Sequence, residues 1–160
     1  MKTASIEGYA SLFGVKDLSG DTIVRGAFAR SLQGRGAQSV KLLYQHDAAE
    51  PIGVIEAAQE DVRGLFIAGE LNLETQRGAE AHALLAQGAL TGLSIGFNVV
   101  TAEKQARGER LLKEIDLWEV SLVTFPMLPG AFAWPADQPA QAALVRTLTN
   151  ASRLFMPQGV

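Results

Sequence analysis

Cysteine is absent from the 160 residues. That excludes disulfides, a thiolate nucleophile, iron–sulfur clusters and cysteine-ligated zinc. Histidine is nearly as scarce, with only His46 and His82, so imidazole chemistry is confined to one of two residues and a histidine-rich metal centre has too few ligands. There is no basic run and no interleaving of basic and aromatic residues, and the net charge is −3. The electrostatic footprint of a nucleic-acid binder is therefore missing. The longest stretch without Asp, Glu, Lys or Arg, Ala81 to Ala102, is broken by Gln87, Gly88, Gly92, Ser94, Gly96 and Asn98, which argues against a bilayer span. Met1-Lys2-Thr3, continued by Glu7 and Gly8, lacks the apolar core of a signal peptide. These absences point to a soluble, intracellular protein that needs no cofactor or metal and binds neither nucleic acid nor membrane.

What is present is a chain that is 48% hydrophobic. At this length one compact domain buries roughly 70% of its unfolded surface. Most of it reads as short strands: residues 4–13 and 21–25, then Val40–Gln45, Ile52–Ala58 and Leu65–Leu73, with a hairpin turn at Glu60-Asp61-Val62-Arg63-Gly64. Gly26 to Gln33 reads as a short helix stopped by Gly34-Arg35-Gly36. Thr75 to Gln87 reads as a second helix with Gly88 at its C-cap. Leu93–Val100 and Arg110–Thr124 complete the strands, the last as one bent strand or two. Four of the six prolines fall between Pro126 and Pro139, the pattern of a domain end and a linker. Beyond them Leu144, Leu148, Ala151 and Phe155 share one helical face. The expected architecture is mainly β (α+β): a small closed or partly open barrel of about six to eight strands with flanking helices. The barrel is placed at residues 1–133, with a proline-containing linker and an amphipathic helix at 134–160.

Three segments carry candidate chemistry. Gly92-Leu93-Ser94-Ile95-Gly96 matches the G-x-S-x-G pattern of a nucleophile elbow. An α/β-hydrolase is nevertheless excluded, because both histidines precede Ser94 and the chain is too short. Ser94 is then either a nucleophile or a plain serine in a strand whose glycines admit a close neighbour. His46 ends the run Val40 to Gln45 at a strand-to-loop junction, suited to proton transfer near neutral pH; a surface histidine is the alternative. His82 falls in the middle of the second helix. In Glu114 to Thr124, period-two alternation puts Leu117, Glu119, Ser121 and Val123 on one face and Trp118, Val120, Leu122 and Thr124 on the other. A strand apolar on both faces makes a carboxylate costly unless it is partnered. Glu119 is thus either an imidazole orienter or a buried glutamate satisfied by arginine or backbone N–H groups. Asp116 and Glu114 lie nearer the exposed start of the strand. Ser94, His46 and Glu119 together form a possible nucleophile, base and acid on three strands.

Four stretches, in order, resemble the prohead (capsid maturation) proteases of tailed bacteriophages. They are Gly8–Phe13 with Gly20–Phe28, then Leu43–Asp47 with Pro51-Ile52-Gly53, then Leu90–Phe97, and finally Glu119–Pro126. Together they span roughly residues 4 to 131. The resemblance implies a serine endopeptidase with a fold like the herpesvirus capsid-assembly proteases, with Ser94 as nucleophile, His46 as general base and acid, and Glu119 as the less certain third member. It also implies action inside the assembling procapsid, in the cytoplasm of a bacterial host, on the scaffold or propeptide segments of the major capsid protein and on the protease itself. The source would be a phage, a prophage or a gene transfer agent. A homodimer or larger homo-oligomer fits such enzymes, and scaffolding would come from another protein. The rival reading is a non-enzymatic capsid-assembly or scaffold-binding β-barrel.

Overall fold

Burial alternates along two neighbouring strands. In β1 (Thr3–Leu12) Ile6 and Ala10 face inward, and in β5 (Gly64–Asn72) Leu65, Ile67 and Leu71 are fully buried between half-buried neighbours. The computed structural model describes residues 1–138 together with Ala143 and Thr147. The helix expected on Leu144, Leu148, Ala151 and Phe155 lies outside the described residues.

Between and after these strands run β2 (Asp21–Ile23), α1 (Ala29–Arg35), β3 (Lys41–Tyr44), β4 (Asp47–Glu60), α2 (Gln76–Gln87), β6 (Gly92–Lys104), β7 (Arg110–Val123) and β8 (Ala133–Pro135). The sheet order is β2-β7-β3-β4-β5-β1-β8, and β6 lies on the other side of β7. β2 and β3 run parallel to β7; the remaining pairs are antiparallel. Residues 131–133 then tie the start of β6 to β1. Leu93 N–H donates to Ala131 O (2.9 Å), Ala133 N–H to Thr91 O (2.8 Å) and Tyr9 N–H to Phe132 O (3.1 Å). The sheet therefore curls into the partly open barrel that the strand pattern predicts. Its interior is filled by fully buried side chains such as Ile6, Ile55, Ile67, Leu93 and Val120, each contributing about 1.5–3 kcal/mol on burial.

α2 forms where its caps say it should. Thr75 Oγ accepts the Gly78 N–H (3.1 Å), and Gly88 takes the left-handed conformation (φ 82°) and donates to Leu85 O (3.0 Å). Ala81 and Leu85 enter the core, while His82 is half-buried on the same helix.

Several boundaries differ from the sequence reading. α1 starts at Ala29, because the Glu60 carboxylate holds the Gly26 and Phe28 N–H groups (2.9 Å each) in the turn before it. It continues through Gly34 and stops at Gly36, whose φ is 76°. β4 begins at Asp47, five residues before Ile52, with Pro51 absorbed at a register irregularity opposite Leu43. β8 forms inside the Pro126–Pro139 stretch, and the expected division at residue 133 falls within it. Trp134 is buried there, and β8 pairs along β1, where a strand end tolerates Pro135.

Candidate active site

The β3–β4 connection is two residues long. Tyr44 pairs with Asp47, leaving Gln45 and His46 as the turn. Both have positive φ, 52° and 62°, the geometry of a type I′ hairpin turn. A non-glycine residue in that conformation costs roughly 1–2 kcal/mol, so the surroundings must hold it. Gln45 N–H donates to Leu122 O (2.9 Å). Its side chain donates to Thr124 Oγ1 (2.7 Å) and accepts the Thr124 N–H (3.2 Å). His46 N–H donates to Ser121 Oγ (3.0 Å). Three bonds from Gln45 and one from His46, to Ser121, Leu122 and Thr124, thus hold the turn in a conformation of the kind that persists at functional sites.

β7 does not keep the simple alternation read from its sequence. Gly96 pairs with Glu119 and the next residue, Phe97, pairs with Leu117, leaving Trp118 unpaired in a β-bulge. A bulge inserts one residue and reverses which face the following side chains occupy. Leu117 therefore joins Val120 and Leu122 in the core, not the face of Glu119 and Ser121. Trp118 remains half-exposed, with the Arg35 guanidinium 4.0 Å above its ring.

On the other face Glu119 meets the histidine. His46 Nδ1 and Glu119 Oε1 are 2.5 Å apart, and Ser121 Oγ donates to Glu119 Oε2 (2.7 Å). The Glu119 side chain is only 14% exposed, against 44% for His46. Glu119 contacts the imidazole and the Ser121 hydroxyl; among the described residues no arginine bonds to it. Asp116 and Glu114 are instead engaged by Arg35 (2.8 Å) and Arg30 (3.3 Å).

Ser94 lies on β6 directly opposite Ser121, and cross-strand partners share a face. It is buried and lines a cavity of about 40 Å³ with Ala10, Leu12, Ile23 and Phe97. Among the described residues its hydroxyl makes no hydrogen bond. The two glycines beside it are explained by this chain's own atoms. A Cβ at Gly92 would lie 2.6 Å from Val123 O and 2.8 Å from Pro126 Cδ, and one at Gly96 would lie 2.8 Å from Glu119 Cγ. The space they open is filled from within, not reserved for an approaching peptide strand.

The fold thus brings Ser94, His46 and Glu119 to one end of three adjacent strands, and leaves His82 away on α2. Sequence reasoning missed Ser121 as a site residue. Its signal was the spacing of two from Glu119 on one strand. Nothing local marked Gly96 as a neighbour of Glu119.

Residues 1–143 match the family model described as caudovirus prohead serine protease. Over 128 residues the chain is 34% identical to the prohead protease of Enterobacteria phage HK97, covering 78% of this chain and 56% of that one. The chain therefore spans little more than half the length of that relative. Its fold is similar to the bacteriophage T4 capsid assembly protease, with a TM-score of 0.61, 15% identity, and 76% of this chain and 82% of that chain covered. It is also similar to KSHV protease solved with a hexapeptide phosphonate inhibitor, with a TM-score of 0.56, 11% identity, and 91% and 77% covered. At these identities the likeness concerns the barrel and its helices alone. Carried by a family match that runs through every strand of the barrel, this chain belongs to the caudovirus prohead serine proteases.

Proposed function

We propose that the protein is a serine endopeptidase that removes scaffold or propeptide segments from the major capsid protein, and cuts itself, during procapsid maturation. The observation that carries the reading is the short His46–Glu119 pair on the face of β7 whose cross-strand neighbour is Ser94. With Nδ1 turned to Glu119, Nε2 is the ring nitrogen left to exchange a proton. As Ser94 Oγ attacks the scissile carbonyl carbon, His46 Nε2 takes the hydroxyl proton and then delivers it to the leaving amine. Water repeats the sequence on the acyl-enzyme and releases the acid. Glu119 holds the imidazole in the tautomer with hydrogen on Nδ1 and stabilises the imidazolium. The expected place of action is the interior of the assembling procapsid, in the bacterial host's cytoplasm.

A fluorophosphonate probe tests the assignment, together with co-expression of the shell protein. Labelling at Ser94 that vanishes in Ser94→Ala and falls sharply in His46→Ala is the expected result, with the shell protein shortened by wild type alone. A shell protein that stays full length with wild type overturns the protease reading and leaves the non-enzymatic assembly role.

A further inference from the structure

We propose that Ser121 is a positioning residue of this site, one buried hydroxyl that locks Glu119 and the His46 backbone to each other, with Gly96 as the floor beneath Glu119. The proposal deepens the protease reading and rests on it for its effect on turnover. A hydroxyl has one proton to give and lone pairs to receive. Here the proton goes to Glu119 Oε2 (2.7 Å) and a lone pair receives the His46 N–H (3.0 Å). Both bonds meet at a hydroxyl with no exposed surface, so water does not compete for the Ser121 oxygen.

The consequence for Glu119 is that its two oxygens are tied separately, Oε1 to the imidazole and Oε2 to Ser121, which stops rotation of the carboxylate. The side chain lies flat over Gly96. A Cβ there would stand 2.8 Å from its Cγ and 2.9 Å from its Cδ, so even alanine must displace the carboxylate. The consequence for His46 is that a turn residue at φ 62° is tied to the same oxygen atom that orients its partner. Strands β3, β6 and β7 each contribute to the arrangement: the turn after β3, Gly96 on β6, and Glu119 and Ser121 on β7.

The decisive comparison is Ser121→Thr against Ser121→Val, two side chains of one shape that differ by the hydroxyl, with Ser121→Ala and Gly96→Ala alongside. Two quantities are read on the full chain. One is kcat and KM on the junction peptide mapped by intact mass of the shell protein after co-expression. The other is the far-downfield proton resonance expected from the short His46–Glu119 bond. Losing a hydrogen bond to a charged group is expected to lower kcat about ten- to hundredfold in Ser121→Ala and Ser121→Val with KM within about twofold. The resonance should vanish in both and persist in Ser121→Thr. Gly96→Ala should lose it with Ser121 intact.

Equal kcat and equal resonance in the Thr and Val variants overturn the proposal. If no position-121 variant folds, an unchanged resonance in Gly96→Ala overturns it. A wild type that neither labels nor cleaves overturns the protease reading instead, and the resonance comparison still decides whether Ser121 holds the pair.

Discussion

Ser94 and Ser121, both buried, stand opposite one another in the β6–β7 ladder and face the same way from a single cross-strand pair. Ser121 is already spoken for by Glu119 and His46, whereas the Ser94 hydroxyl has no such bond among the described residues. Two serines of the same chemistry thus differ in what surrounds them, and only Ser121 has its hydroxyl committed to neighbours.

Replacing Glu119 with glutamine keeps the shape and removes the charge. The amide can present its N–H₂ to the ring and impose the wrong tautomer. Turnover is expected to fall about a hundredfold to ten-thousandfold, with the thermal midpoint little changed. Peptide cleavage and a melting curve on the same preparation check it; a protein that simply unfolds assigns Glu119 a structural role.

Asp61 closes the β4–β5 turn. Burial alone would raise its carboxyl. The Tyr9 hydroxyl, the Arg63 and Gly64 N–H groups and the nearby Arg63 charge outweigh that and hold it below the ordinary aspartate range. A carboxyl depressed in the folded state binds its proton less readily there than in the unfolded chain. Its contribution is therefore complete above the unfolded value, about 4, and is lost as pH falls through the folded one. Asp61→Asn should narrow the difference in thermal midpoint between pH 7 and pH 3. An unchanged difference would remove Asp61 from the acid sensitivity of the fold.

Arg107, at the exposed tip between β6 and β7, has φ 61° and ψ 25°. This is left-handed backbone that glycine adopts without a Cβ penalty. Arg107→Gly should stabilise the protein by up to about 1 kcal/mol, after the greater entropy of the unfolded glycine is subtracted. The urea midpoint should rise with no change in slope, and a fall in the midpoint contradicts the account.

Much of this was readable before folding. The strands β1 and β5, the Gly88 cap of α2 and the turn at Asp61 are local patterns, each set by residue types within a few positions of one another. The residue types of the site were legible for the same reason: with two histidines, one on a helix, His46 stood out, and the Gly92–Gly96 segment marked Ser94. The bulge at Trp118 was not legible, because it arises from pairing with β6, a strand separated from β7 by its own turn. β8 was not legible either, since the burial of Trp134 outweighs the prolines around it.

The sequence by itself therefore determined most of the strands, the C-cap of α2 and the inventory of groups able to react. Tertiary structure alone decided that Glu119 faces His46, that the histidine sits in a left-handed turn and that Ser121 ties the two together. Those outcomes depend on register between strands distant in the chain, and a slip of one residue exchanges the core face of β7 for the site face.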